Sequence, residues 1–85
     1  MTMYRILYKE TARRALKKIP KKWQARLVKA IDGLKHEPFQ GKKLQGELHG
    51  LYSLRVWPYR IIYQVKVHEV TIFILTIGHR QGIYK

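Results

Sequence analysis

Residues 51–79 read LYSLRVWPYRIIYQVKVHEVTIFILTIGH, and this stretch decides the fold. Apolar and polar residues alternate in LYSLRVW and in YRIIYQVKV, which is the two-residue period of a β-strand. Pro58 separates these two segments, and the short VHE segment precedes a run that is apolar on both faces as far as Ile77. Both junctions predict tight turns. The stretch therefore predicts three consecutive strands joined as hairpins, with the last strand inside the sheet.

The residues before this stretch predict one further strand and two helices. Residues 3–8 alternate as a strand does, whereas residues 10–20 and 21–38 carry apolar residues at helical spacing and each segment ends at a proline. Residues 39–50, FQGKKLQGELHG, predict a loop with turns. The expected fold is an α+β class domain, a twisted and mainly antiparallel sheet of about four strands packed on an N-terminal two-helix hairpin. At 85 residues, the chain 1–85 is expected to form one domain.

The charge of the chain is strongly positive. Eighteen Lys and Arg residues against five Asp and Glu give a formal net charge of +13. A small domain of this charge is expected to bind a polyanion, either nucleic acid or an acidic protein. The chain has no cysteine and no apolar run long enough for a membrane span or a secretory signal. We therefore expect a cytoplasmic protein that has no membrane partner.

The strand pattern gathers basic and aromatic residues at one end of the sheet. Arg55 and Arg60 lie on either side of one tight turn and are expected to be neighbours on an exposed sheet face. His79, Arg80 and Tyr84 follow the last strand, so they are expected to emerge close by. An arginine on a strand is ordinarily a solvated surface residue, and only the coincidence of several such groups indicates a site.

The residue types favour chemistry without a metal ion or cofactor. The four histidines, at positions 36, 49, 68 and 79, have no ligand spacing, and the acidic residues are scattered. Metal-free RNA cleavage needs a base for the ribose 2′-hydroxyl, cations for the phosphorane and an acid for the leaving oxygen. Arginine, histidine and tyrosine together supply these three functions.

The sequence resembles the RelE/ParE toxins of bacterial and archaeal toxin–antitoxin modules over nearly its whole length. The resemblance is carried by YRILYKETARRALKKIP, PFQGKKLQGELHGLYSLRV, YRIIYQV and IGHRQGIYK. Similarity to the RelE branch implies a ribosome-dependent endoribonuclease, an mRNA interferase that inhibits translation. It also implies a cognate antitoxin that wraps the toxin surface and silences it.

The resemblance also assigns roles to individual residues. Arg60 matches the arginine that stabilises the transition state, and Arg80 matches a second catalytic arginine that is sometimes the acid. Tyr84 matches the tyrosine that is the base, and Arg55 matches a basic strand position that assists it. This chain departs from the family pattern in three respects. Ser53 stands where a second basic residue can occur, the segment between Arg80 and Tyr84 is shorter than in some members, and His79 replaces a lysine. Whether Arg80 or His79 is the acid is therefore left open.

Two other functions remain open at this stage. One is a ParE-like toxin that inhibits DNA gyrase without cutting RNA, and the other is an inactive relative that only binds RNA or antitoxin. Contacts to mRNA and ribosomal RNA are expected from the basic helical face, from the central loop and from the hairpin tip. The residues are Lys18, Lys21, Lys22, Arg26, Lys42, Lys43 and Trp57.

Overall fold

The structure is a computed structural model of the 85-residue chain, and it describes residues 3–46 and 50–79. Strands and helices follow the order that the sequence predicts, with one short strand added. In chain order they are β1 (Arg5–Tyr8), α1 (Glu10–Lys18), α2 (Lys21–Gly33), β2 (Lys42–Lys43), β3 (Leu51–Val56), β4 (Tyr59–Lys66), a single 3₁₀ turn (Val67–Glu69) and β5 (Thr71–His79).

The five strands form one sheet in the order β1-β5-β4-β3-β2. β1 pairs in parallel with β5, and every other pair is antiparallel. The mainly antiparallel α+β prediction is therefore confirmed, and β5 lies inside the sheet as predicted. The sheet has five strands rather than about four, because two residues of the predicted loop pair with β3. A strand of two residues is too short to show a period in the sequence.

The two helices cover one face of the sheet, which we call the helical face. The apolar stripes of α1 and α2 bury Ala12, Leu27 and Ile31 against the sheet residues Ile61 and Ile72. Each of these five side chains has no exposed surface. The other face of the sheet carries no helix in the described ranges, and we call it the open face. The helical spacing of apolar residues in the sequence thus identifies the buried side of each helix, since only one side of a helix contacts the sheet.

The second helix ends earlier than predicted. α2 stops at Gly33 instead of continuing to the residue before Pro38. The Leu34 and Lys35 amides donate to the Ile31 and Asp32 carbonyls at 3.0 and 3.1 Å, which are the i→i−3 bonds of a tightened last turn. Glycine is a weak helix former, so the turn begins at Gly33 even though Leu34 remains buried.

The junction between β4 and β5 also differs from what the alternation of apolar residues predicts. Val67, expected in the apolar row of the strand, begins the 3₁₀ turn and is 52% exposed. Val70 then adopts a left-handed conformation with φ +50°. Its carbonyl accepts a hydrogen bond from the Arg5 amide at 2.9 Å, which aligns β1 with the start of β5.

A β-bulge in β5 decides which side chains face the helices at the far end of the sheet. Pairing between β4 and β5 steps from Ile62↔Thr76 to Tyr63↔Ile74, which leaves Leu75 as the extra residue. Ile72 and Ile74 on one side of the bulge and Ile77 on the other therefore all join the core. Because the bulge adds one residue to β5, each later side chain of this strand projects from the face opposite to the one that simple alternation predicts.

Candidate active site

Arg55 and Arg60 form a directly opposed pair across the hairpin of β3 and β4. Trp57 and Pro58 make the turn between them, and the peptide bond joining these two residues is cis. Both arginines lie on the open face, since their neighbours Leu54 and Ile61 pack toward the helices. The structure thus brings together Arg55 and Arg60, two of the five residues that the sequence predicts to be catalytic.

Ser53 fixes the position of the Arg60 side chain. Arg60 Nη1 donates to Ser53 Oγ at 3.4 Å, and Ser53 is only 3% exposed. Arg60 is half-buried with its Nε atom shielded from solvent, whereas Arg55 is exposed. The Ser53 hydroxyl therefore supports Arg60, the less exposed of the two arginines.

The two arginines line a groove of about 350 Å³. We call it the arginine groove. Its wall on the loop side includes Lys42, whose register partner is Ser53, so Lys42 and Ser53 project from the same face of the sheet. Lys43 pairs with Tyr52 and therefore projects from the opposite face. The described residues that line it are Gln40, Gly41, Lys42, Ser53, Leu54, Arg55 and Arg60.

The buried Tyr63 hydroxyl fastens the loop that carries Lys42. Tyr63 Oη accepts a hydrogen bond from the Gly41 amide at 3.0 Å and donates to the Pro38 carbonyl at 2.9 Å. Burial raises the pKa of this phenol, which keeps the hydroxyl protonated and able to donate. The strand pattern of the sequence did not indicate this role of Tyr63 in placing the loop. The glycine at position 41 was the available signal, because a Cβ there would lie 2.6 Å from the Tyr63 oxygen.

His79 lies on the helical face, across the sheet from Arg60. Arg60 pairs with Gly78, and His79 pairs with Tyr59. The His79 ring meets the Tyr59 ring edge-on at 6.1 Å, and Tyr59 in turn meets Trp23 at 6.4 Å. The structure therefore does not bring His79 together with Arg55 and Arg60. Arg80 and Tyr84, the other two predicted catalytic residues, lie outside the described residues.

The remaining predicted RNA contacts are spread over the surface outside the arginine groove. Lys22 and Arg26 lie over the Trp23 ring, with their charged groups 5.2 and 5.0 Å from the ring centroid. Trp57 at the hairpin tip is 55% exposed. Lys18 ends α1 and Lys21 begins α2, so both belong to the helical layer.

The chemistry of the arginine groove is that of an anion site. Of the lining residues that the structure describes, three are cationic and none carries a carboxylate. Arginine presents a planar fork that matches two oxygens of a phosphate, and lysine adds a point charge. Across residues 3–46 and 50–79, no three His, Cys, Asp or Glu side chains are placed to hold a metal ion. The same ranges contain no helix with the length and apolar character of a membrane span.

The sequence is similar to known proteins over nearly its whole length. The family model for the ParE toxin of the type II toxin–antitoxin system parDE matches residues 6–84. The toxin RelG of Mycobacterium tuberculosis is 38% identical over 84 residues, which cover 96% of this chain and 97% of RelG. The toxin RelE of the same organism is 32% identical and covers 96% of this chain and 87% of its own length.

A solved structure matches the architecture as well. The crystal structure of the toxin–antitoxin complex RelBE2 from Mycobacterium tuberculosis contains a chain that superposes with a TM-score of 0.86 at 37% identity. The match covers 93% of this chain and 100% of that chain. The two helices, the sheet and the open face described above are therefore features of a fold that a toxin–antitoxin complex also contains.

Proposed function

This chain belongs to the RelE/ParE superfamily of toxins from type II toxin–antitoxin modules, and from that premise we propose that it is a ribosome-dependent mRNA endoribonuclease. The observation that carries the proposal is the arginine groove. Its three cations, with no carboxylate among the lining residues, suit the crowded negative charge of a phosphate under attack.

In the proposed reaction the ribose 2′-oxygen attacks the adjacent phosphorus and the bond from phosphorus to the 5′-oxygen breaks. The base takes the 2′-hydroxyl proton, and the acid gives a proton to the departing 5′-oxygen. The products are a 2′,3′-cyclic phosphate and a 5′-hydroxyl, so atoms and charge balance without a metal ion or cofactor. Arg60, held by Ser53 at 3.4 Å, binds the non-bridging oxygens as they gain charge.

Tyr84 is the base and Arg80 the acid in this proposal, on the strength of the family resemblance. The pKa of an ordinary tyrosine is about 10, and lowering it by two units takes about 2.7 kcal/mol. One cation at about 4 Å and an effective dielectric of about 20 contributes about 4 kcal/mol before desolvation is subtracted. The electrostatic gain from one such cation thus exceeds the free energy that the shift requires, and the family resemblance assigns this role to Arg55. His79 is the weaker candidate for the acid, because its ring contacts Tyr59 on the helical face.

The substrate and partners follow from charge and from the relatives. The net charge of +13 favours ribosomal RNA and mRNA as binding surfaces, and a cytoplasmic location goes with them. The basic helical layer is well placed to contact ribosomal RNA while the open face holds the message. The similar chain of known structure comes from a complex with an antitoxin, so a cognate antitoxin is the expected protein partner.

Primer extension on mRNA in programmed ribosomes tests the function. We expect the protein to cut within the codon at the decoding site, and we expect Arg60→Ala and Arg80→Ala to abolish cutting. Arg5→Ala is the matched control, since Arg5 lies on the same open face but on the edge strand β1, with Thr71 as its hydrogen-bond partner at 3.5 Å. Free mRNA assayed in parallel shows whether the ribosome is required.

The same preparation distinguishes the alternative function. Folded protein that leaves ribosomal mRNA intact but causes cleaved gyrase–DNA complexes to accumulate is a ParE-like gyrase inhibitor. The description of the matching family as ParE toxin makes this the appropriate second assay. Cutting by Arg60→Ala at the normal rate would contradict the proposed role of the arginine groove.

A further inference from the structure

Tyr63 belongs to the hydrophobic core, but its side chain carries a polar hydroxyl group. The residue is fully buried, and its ring stacks on Tyr52 with centroids 5.6 Å apart. A phenylalanine would fill the same space in the core. The hydroxyl, however, makes two hydrogen bonds to backbone groups that are 22 and 25 residues away in the chain, at Gly41 and Pro38. Its specific effect is therefore on the segment 38–41.

The segment 38–41 leads directly into the residue that lines the arginine groove. Gly41 fits closely between the sheet and the hydroxyl, because a Cβ at this position would lie 2.9 Å from the Ser53 carbonyl as well as 2.6 Å from Tyr63 Oη. Lys42 follows and pairs with Ser53, the same serine that holds Arg60. The position of Lys42 relative to Arg60 thus depends on the Tyr63 hydroxyl before it, on the two-residue strand β2, and on the Leu44 amide after it, which donates to the Leu51 carbonyl at 2.9 Å.

We infer that Tyr63 is a positioning residue for RNA binding, which acts by holding Lys42 against an RNA phosphate next to the one that Arg60 binds. This inference rests on the proposed function and specifies which groups form the RNA site. Lys42 is a phosphate contact of the arginine groove, whereas Lys43 projects from the other face and is not. Loss of the hydroxyl leaves the core intact but frees the loop, so Lys42 no longer stays in the groove.

The salt dependence of RNA binding tests this inference, because it reports the number of phosphate contacts. A residue that only stabilised the fold would not change that number. Each phosphate contact on single-stranded nucleic acid contributes about 0.7 to the slope of log K against log salt. The probe is a short single-stranded RNA with 2′-deoxyribose at every position that could be attacked, so that it binds without being cut. Its dissociation constant is measured by fluorescence anisotropy over a range of salt concentrations.

We expect Lys42→Ala to reduce the slope by about 0.7 and to weaken binding about fivefold at 0.1 M salt. Tyr63→Phe should produce most of the same reduction, and the double variant should be no weaker than Lys42→Ala alone, because the tyrosine acts through the lysine. Two matched controls should leave the slope unchanged. Lys66→Ala removes the same charge at the other end of β4 from the arginine groove, and Tyr52→Phe removes the hydroxyl of the stacked ring.

Additive losses in the double variant, or an unchanged slope in Tyr63→Phe, would overturn the inference. Gly41→Ala provides a second route if Tyr63→Phe does not fold, since the added methyl group displaces the loop from an intact tyrosine. Failure of the proposed function has a different signature. In that case Tyr63→Phe and Lys42→Ala still show non-additive effects on RNA binding, but the native protein leaves ribosomal mRNA uncut. If the native protein binds no RNA at all, both the inference and the proposed function are overturned.

Discussion

Arg55 and Arg60 stand directly opposite each other on β3 and β4, so two like charges share one cross-strand position. Such a pair is destabilising in a sheet, because neither side chain can move far from the other. Neither arginine has an acidic neighbour among the lining residues of the arginine groove. The fold thus places two like charges at one cross-strand position on the open face, and this is the pair that we propose binds a phosphate.

Replacing Arg55, the exposed member of this pair, should raise the stability of the protein and lower its activity. Arg55→Thr is expected to raise the free energy of unfolding by about 0.2–1 kcal/mol, because it removes the repulsion and places a β-branched residue in a strand. Cleavage of ribosomal mRNA should fall. Thermal unfolding and the cleavage assay together test this. Arg5→Thr on β1 introduces the same β-branched residue without removing a repulsion between arginines, so it should gain less stability and keep its cleavage activity. A less stable Arg55→Thr protein would contradict the prediction.

His79→Gln should affect stability more than cleavage. The imidazole contacts Tyr59 on the helical face, and loss of a ring pair of this kind costs about 0.5–1.5 kcal/mol. The rate of mRNA cleavage and its dependence on pH should stay close to those of the native protein. A general acid contributes about 10²–10⁴-fold, so a loss of that size in His79→Gln would show that the imidazole reaches the reacting phosphate.

Val70→Asn should stabilise the protein. Val70 has φ +50°, a conformation that costs a residue with a Cβ about 1–2 kcal/mol and that asparagine tolerates better than valine. A gain of about 1 kcal/mol corresponds to a rise of about 4–8 °C in the melting temperature of a domain of this size. Differential scanning calorimetry measures the change. Val67→Asn, in the same turn but without the left-handed backbone, serves as the control and should not raise the melting temperature.

Glu10 should make the stability of α1 sensitive to acid. Its hydrogen bond from Arg13, with contributions from Arg14 and Lys17, lowers the pKa of the carboxyl below its ordinary value. A lowered pKa in the folded state contributes stability that is complete above the ordinary value and is lost as the pH falls through the folded value. The difference in melting temperature between the native protein and Glu10→Gln should therefore be present at neutral pH and vanish in acid. A difference that stays the same size from neutral pH into strong acid would contradict this account.

The candidate site was partly visible in the sequence. The placement of Arg55 and Arg60 followed from two strands and one short turn, since alternation over so few residues leaves no room for a shift in register. Lys42 was expected only as one of several RNA contacts. Its place beside the arginines depends on the pairing of β2 with β3 and on the Tyr63 hydrogen bonds, which join residues far apart in the chain.

The sequence by itself determined the order of the strands and helices, the apolar side of each helix and the strongly basic surface. These features follow from local periodicity and from composition, which each segment carries with it. Only the tertiary structure decided that His79 lies across the sheet from Arg60 and that Lys42 joins the arginine groove. The bulge at Leu75 exchanges faces through its pairing with β4, and the loop at Gly41 is fixed by a side chain in the core. Both depend on contacts between distant residues, which alternation along one segment does not specify.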